Sequence, residues 1–213
     1  MSSVAVIDYG MGNLHSIAKA LQHADPSVEV RVVSDAASIL QADRVVFPGV
    51  GAMRDCMQAL NGLGLVDVIR EAAASKPFLG ICLGMQALLS NSAENNSVTC
   101  LDIIPGQVLH FSPTLTDETG QVLKIPHMGW NQVHQHPHPL WANIPQDSRF
   151  YFVHSYFVQP DDADVTAATT DYPAPFTCAL ARKNLFAVQF HPEKSQTAGL
   201  QLLKNFLQWD GSV

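Results

Sequence analysis

Cys82 is the side chain that this sequence places best for nucleophilic chemistry. Gly80 and Gly84 flank it two positions away on either side, which is the Gly-x-nucleophile-x-Gly pattern of a nucleophile elbow with sulfur as the attacking atom. An apolar run precedes it and an amphipathic run follows, so residues 77–89 predict a strand, a sharp turn and a helix. The free N–H groups and dipole at the helix start would favour a thiolate. A buried structural cysteine is the alternative reading.

A general base for that thiol comes from the distant stretch 188–195. His191 ends an apolar run there, and Glu193 follows two positions later. Residues two apart on an extended chain project to the same side, and the intervening Pro192 cannot join a sheet ladder. Cys82, His191 and Glu193 therefore predict a nucleophile, a base and a carboxylate that orients the base.

The composition limits the class of protein. Of the 213 residues 47% are hydrophobic and 15% charged, which is enough for one core, so we expect residues 1–213 to form a single domain. A net charge of −7 disfavours nucleic acids and anionic membranes as partners. Residues 1–8 lack the pattern of a secretory signal, and four cysteines without a CxxC pair suit a reducing compartment. We therefore expect a cytoplasmic protein.

The first half of the chain alternates short apolar runs with amphipathic ones. This alternation predicts an α/β fold with a central, mostly parallel twisted sheet flanked by helices. Before the elbow, the predicted strands are residues 4–7, 29–33 and 45–47. The predicted helices are residues 35–40, 53–60 and 65–74, together with one that follows a possible cap at Asn13.

The half after Asn91 has a different pattern, which predicts additional antiparallel β structure. Its apolar or alternating runs are residues 104–111, 121–125 and 150–158. Two further runs, 178–182 and 185–189, flank Lys183-Asn184 as a hairpin. An apolar stripe through Leu200 and Leu203 predicts a closing helix, with Ser195 or Thr197 as its cap.

Two glycine-containing loops follow predicted strands. Gly10 and Gly12 suggest a dinucleotide-binding turn, but His15 stands where the third glycine of that fingerprint belongs, so we reject the interpretation. The loop 48–51, Pro-Gly-Val-Gly, could turn its N–H groups toward an anion beside the elbow, with Leu83 as a second donor. An ordinary tight turn is the alternative for that loop.

Three histidines lie close together at His134, His136 and His138. Imidazoles bind transition metals, yet no carboxylate or cysteine stands alongside them in the sequence, and two prolines separate them. We expect solvent-facing side chains on an exposed loop, with no metal site.

The quoted motifs together resemble the class I (triad) glutamine amidotransferases. Residues 80–86, Gly-Ile-Cys-Leu-Gly-Met-Gln, carry the nucleophile motif of that family, and His191-Pro192-Glu193 carries its base and carboxylate in the same order. Residues 8–14, 124–131 and 151–156 narrow the resemblance to the glutaminase subunits of imidazole glycerol phosphate synthases. The resemblance spans nearly the whole chain and implies a flavodoxin-like amidotransferase fold.

The resemblance also implies a role for individual residues. Cys82, His191 and Glu193 match the catalytic triad that hydrolyses glutamine to glutamate and ammonia through a cysteine thioester. The N–H groups of Val50 and Leu83 match the oxyanion hole. The positions that hold glutamine correspond to Gly51, Gln86 and Ser155.

A partner is implied as well, and no cofactor or metal. In that family a separate (βα)₈ barrel cyclase subunit receives the ammonia for histidine biosynthesis in a heterodimer. Positions near the partner interface correspond to Asn13, Trp130, Tyr151 and Lys194, although Trp130 could equally be a partly buried core aromatic. Because the isolated glutaminase is nearly silent in the family, we expect the oxyanion loop to rest in an inactive conformation that Gly49 permits.

Other functions stay open on the sequence alone. The chain could be the glutaminase of another synthase, of the anthranilate or pyridoxal-phosphate type. It could be an α/β-hydrolase with a cysteine nucleophile, although that family places its acid before the histidine. It could also be a binding module without catalysis, in which replacing Cys82 would change nothing.

Overall fold

A computed structural model describes residues 2–117 and 119–212 of the chain. The strands are β1 Ser3–Ile7, β2 Glu29–Val33, β3 Arg44–Gly49, β4 Phe78–Cys82, β5 Asn91–Ser92, β6 Val98–Thr99, β7 Gly106–His110, β8 His127–Gln132, β9 His134–Gln135, β10 Arg149–His154, β11 Tyr156–Pro160, β12 Thr166–Asp171, β13 Pro175–Arg182 and β14 Leu185–Val188. The helices are α1 Leu14–Ala24, α2 Ala36–Gln41, α3 Met53–Gly62, α4 Val66–Ser75, α5 Leu83–Gln86 and α6 Gln196–Gln208.

One large sheet organises the fold, as the sequence predicts. Its order is β2-β1-β3-β4-β14-β13-β11-β7-β5-β6; β12 also pairs with β13, and β9 pairs with β12. The first five strands are mutually parallel, in the doubly wound order 2-1-3-4-5 once β14 is counted as the fifth. The carboxyl ends of β3, β4 and β14 therefore meet at one edge of the sheet.

Helices cover both faces of the large sheet. Successive strand residues point to opposite faces, so each buried strand presents apolar side chains to the helices on either side. On β1, Val4 and Val6 pack with α1 and α6 through Leu21 and Leu203. Ala5 and Ile7 pack on the opposite face with α2, α3 and α4. Because apolar side chains on both faces of β1 are buried, this strand has a continuous apolar sequence.

The antiparallel half follows the sequence prediction only in part. Residues 150–158, predicted as one run, form β10 and β11, which are separated at Ser155 and belong to different sheets. β10 pairs with β8 in a separate two-stranded ribbon. The prediction of a strand at 121–125 is wrong, because these residues form only an isolated bridge, from Val122 to Thr116. The predicted hairpin of β13 and β14 is confirmed, with Lys183 at φ 53° in its turn.

Two predicted helix caps need correction. Asn13 and Ser195 stand at the N-caps of α1 and α6, but neither side chain accepts a capping hydrogen bond. Ser195 Oγ instead donates to the carbonyl of His191 and accepts from the N–H of Tyr151.

None of the helices in the described part of the chain has the length and apolarity needed to cross a membrane.

The three clustered histidines do not share one exposed loop. His134 lies in β9 and contacts Asp147 at 2.6 Å and Asp171 at 3.4 Å, carboxylates that are distant in sequence. His138 packs against Phe186, with ring centroids 4.6 Å apart. Among residues 2–117 and 119–212, no three His, Cys, Asp or Glu side chains are arranged so that they could hold a metal ion.

Candidate active site

The elbow at the end of β4 is held by backbone strain and close packing. Cys82 has φ 55° and ψ −111°, a conformation that costs a non-glycine residue about 1–3 kcal/mol. Gly84 makes the turn possible, because a Cβ there would lie 1.9 Å from the carbonyl oxygen of Phe47 in β3. The following helix α5 has only four residues, so the local N–H groups of its first turn matter more than a macrodipole.

The predicted base, His191, and the predicted carboxylate, Glu193, lie just beyond the neighbouring strand. β14 pairs with β4 in parallel, with Val188 opposite Ile81, and the chain then continues through Gln189 to His191. His191 Nδ1 lies 2.9 Å from Glu193 Oε1, and the two side chains are 4% and 1% exposed. A carboxylate only accepts, so Nδ1–H donates to it and Nε2 is left for the proton that the chemistry moves.

His191 carries a positive charge in this setting. Burial alone would lower its pKa, but the nearby Cys82 sulfur and Glu193 carboxylate outweigh burial and raise the pKa of His191 to about 10. Nε2 is buried and makes no hydrogen bond within the described residues. The charged imidazolium of His191 thus lies beside Cys82, a setting that favours negative charge on a cysteine sulfur.

A cleft of about 370 Å³ opens over these groups. Its walls include every residue that the sequence assigned to catalysis, the oxyanion or glutamine except Glu193, which contacts His191. The lining residues from that set are Val50, Gly51, Cys82, Leu83, Gln86, Ser155 and His191. The loop 48–51 and the elbow thus face the same space, as expected for loops at the carboxyl ends of neighbouring strands.

Two residues of the site carry no signal in the sequence. Glu94 lines the cleft from the short 3₁₀ turn Glu94–Asn96 and accepts from the N–H of Met53 at 2.8 Å. Gln189 is fully buried, and its Nε2 lies 3.7 Å from Cys82 Sγ. Both contacts join residues more than 40 positions apart, so neither partner can be read from the local sequence.

The other three cysteines differ from Cys82 in their place, because Cys82 lines the cleft and they do not. Burial raises the pKa of Cys56 and of Cys100 to about 12, and it raises the pKa of the fully buried Cys178 well above its ordinary value. Each is a free thiol packed in the core. These three thiols therefore stay protonated, and none of them lines the cleft.

An exposed aromatic surface adjoins the cleft. Trp130 is 43% exposed on β8, and its ring meets that of Tyr151 on β10 at 6.1 Å between centroids. Lys194, which lines the cleft, places Nζ 5.7 Å from the centre of the Tyr151 ring. Asn13 is exposed as well, but it belongs to the loop whose Gly12 lies against Gly49. Because Trp130 is 43% exposed, the interpretation of Trp130 as a core aromatic is wrong.

Comparisons with known proteins identify the family of the chain. The family model "Glutamine amidotransferase class-I" matches residues 5–209. The chain is 66% identical over 212 residues to the imidazole glycerol phosphate synthase subunit HisH of Methylococcus capsulatus, covering 99% of this chain and 98% of that one. It is 59% identical to the HisH subunit of Nitrosococcus oceani, covering 99% of each.

A solved structure extends the likeness in fold. PurLQS from Thermotoga maritima superposes with a TM-score of 0.70 at 15% identity, covering 97% of this chain and 98% of that one. The family match spans both the elbow and the His191 segment, which sets aside the α/β-hydrolase alternative. The chain belongs to the class-I glutamine amidotransferases and, within them, to the HisH subunits of imidazole glycerol phosphate synthase.

Proposed function

We propose that Cys82, His191 and Glu193 form the triad with which this chain hydrolyses glutamine to glutamate and ammonia. The observation that carries the proposal is the buried His191–Glu193 pair beside Cys82 in one cleft. The HisH names of relatives at 59–66% identity support the same reaction class. A single amidotransferase domain is consistent with the match over residues 5–209.

The reaction follows from the protonation states. The Cys82 thiolate attacks the side-chain carboxamide carbon of glutamine, and the carbonyl oxygen becomes an oxyanion that the N–H groups of Val50 and Leu83 stabilise. His191 Nε2 gives its proton to the departing ammonia, which leaves a γ-glutamyl thioester on Sγ. The neutral imidazole then takes a proton from water, the resulting hydroxide attacks the thioester, and glutamate leaves. Glu193 keeps the ring oriented and stabilises its cation throughout.

The same cleft offers complementary groups for the amino-acid end of glutamine. Gln86 uses both protons of its amide on Tyr156 and Gln189, so its carbonyl oxygen remains for a donor on the substrate. Glu94 supplies a negative charge that suits the α-ammonium group. Gly51, at φ 103°, and Ser155 bring backbone to the cleft without bulky side chains.

A partner that consumes the ammonia would dock on the exposed aromatic surface. Lys194 lines the cleft and contacts the ring of Tyr151, which in turn packs against the exposed Trp130. Aromatic residues are enriched at interface cores. We propose that the occupant is a (βα)₈ barrel cyclase subunit in a heterodimer, with Asn13 at the edge of the contact. Because its four cysteines are unpaired, a reducing, cytoplasmic location fits the complex.

Replacement of Cys82 by alanine tests the triad. In the complex with the cyclase subunit, Cys82→Ala should abolish glutamate release, while synthesis from added ammonium salt should persist. Cys100→Ala, at a buried cysteine that does not line the cleft, should keep both activities. Undiminished glutamate release by Cys82→Ala, or loss of ammonia-dependent synthesis, would contradict the proposal. Substitution of an anthranilate or pyridoxal-phosphate synthase partner should give no coupled product.

Regulation by the partner is a further part of the proposal. Gly49 is packed so closely that a Cβ would meet Tyr9 Oη at 2.3 Å, while Tyr9 Oη donates to the carbonyl of Pro48 at 3.1 Å. The loop is therefore held by contacts that a docked partner could change. Glutamate release should be slow for the lone chain and faster with the cyclase subunit and its substrate. Equal rates in both samples would discard this regulation.

A further inference from the structure

The backbone carbonyl of Tyr156 fixes the direction of a buried hydrogen-bond chain. A carbonyl oxygen only accepts, so the Gln86 atom 3.0 Å from it must be the amide nitrogen. The second proton of that nitrogen then points to Gln189, 3.0 Å away, where the acceptor must be Oε1. This leaves Gln189 Nε2, a donor, as the atom that faces Cys82 Sγ at 3.7 Å.

The starting point of the chain is itself anchored. His154 Nδ1 lies 2.7 Å from the same carbonyl and donates to it, so His154 Nε2 accepts from His127 Nδ1 at 2.9 Å. Burial lowers the pKa of His154 to about 3 and that of His127 to about 4, which keeps both rings neutral. The carbonyl of Tyr156 thus receives two fixed donors, and the orientation of the glutamine amides does not change with pH near neutrality.

We propose that Gln189 is a further catalytic residue, whose amide donates a permanent hydrogen bond to the sulfur of Cys82. The inference rests on the proposed role of Cys82 as nucleophile. His191 must release and regain a proton during turnover, whereas the amide cannot be deprotonated and donates in every state. Gln189 therefore stabilises the thiolate both before attack and when the thioester breaks down, and it keeps the sulfur aimed from the side of the core.

The test is the pH dependence of Cys82 alkylation by iodoacetamide in the full-length chain, followed by peptide mass spectrometry. Gln189→Met keeps the shape of the side chain and removes the donor. Hydrogen bonds to charged groups are strong enough that the midpoint of the alkylation rate should move up by about one pH unit. Gln189→Glu should move it further in the same direction, because it adds a negative charge. Gln159→Met, on the exposed face of β11, should leave it unchanged.

An unchanged midpoint in a Gln189→Met protein with unaltered thermal unfolding would overturn the inference. Should the variants fail to fold, the unmodified protein gives a second readout, since the side-chain amide resonance of Gln189 should shift with the same midpoint as alkylation. A resonance that does not titrate would likewise overturn it. Neither measurement requires glutamine turnover, so a failure here is distinct from failure of the Cys82→Ala test.

Discussion

Two neighbouring strands, β4 and β14, end at the same edge of the sheet and deliver their chemical groups in different ways. β4 ends in a strained turn, with Cys82 at φ 55° and glycine packed against the carbonyl of Phe47. Beyond β14 the backbone is relaxed, with His191 at φ −103°, and the side chain is held by Glu193. The proposed nucleophile is thus positioned by backbone geometry, whereas the proposed base is positioned by a buried carboxylate.

This contrast predicts that the elbow will be most sensitive to added volume. In Gly84→Ala the new Cβ would meet the Phe47 carbonyl at 1.9 Å, so α5 must move away from β3. We expect a loss of about 1–3 kcal/mol in the free energy of unfolding. Displacement of the Leu83 N–H should lower the rate of glutamate release by roughly 10²–10³-fold. Chemical denaturation and the coupled glutaminase assay measure the two effects.

Gly62→Ala is the matched control for that substitution. Gly62 ends α3, and a Cβ there would contact nothing within 4 Å. Alanine favours a helix over glycine, so stability should stay equal or rise by up to about 1 kcal/mol. Equal behaviour of the two alanine variants would show that close packing does not hold the elbow.

At the second strand the charge, rather than the volume, should matter. Glu193→Gln keeps the size of the side chain and removes the negative charge beside His191 Nδ1. We expect about a 10²-fold slower glutamate release, at the low end of the range for general acid–base groups. The pKa of His191, raised to about 10, should fall, and nuclear magnetic resonance titration of the ring would follow it.

Glu71→Gln, an exposed carboxylate on α4, serves as the control and should change neither quantity. A His191 titration that is the same with and without the Glu193 charge would contradict the account of the base.

The smallest effect is expected in the pH dependence of stability. Here two buried histidines differ, because the pKa of His154 is lowered and that of His191 is raised. Burial lowers the pKa of His154 in the folded protein to about 3, against an ordinary histidine pKa of 6.5. Below pH 6.5 the unfolded chain therefore binds a proton that the folded chain does not. As a result, the stability of the fold falls as the pH drops from 6.5 toward 4. The pKa of His191 is raised to about 10, so its contribution is present below pH 6.5 and is lost as the pH rises through 10.

Thermal unfolding measured from pH 4 to pH 10 should therefore show an acidic and an alkaline decline. His154→Asn should flatten the acidic decline, and His191→Gln should flatten the alkaline one. The assignment would be wrong if each variant changed the opposite arm of the profile.

The same contrast explains how far the sequence led. The parallel strands, the elbow and the His191–Glu193 pair could be predicted, because apolar periodicity and glycine spacing are local signals. The break at Ser155 could not, since the alternating pattern continues across it while the chain changes sheets. The places of Glu94 and Gln189 in the site could not be predicted, because their partners, Met53 and Cys82, are distant in sequence. His134 likewise meets its carboxylates only after folding.

The most direct test of the account is to trap the covalent intermediate. The assembled complex would be mixed with glutamine, quenched in acid within one turnover and digested for peptide mass spectrometry. The account predicts a γ-glutamyl thioester on the peptide that contains Cys82, and none on the peptides of Cys56, Cys100 or Cys178. Glutamate release without any adduct on Cys82, or an adduct on another residue, would contradict it.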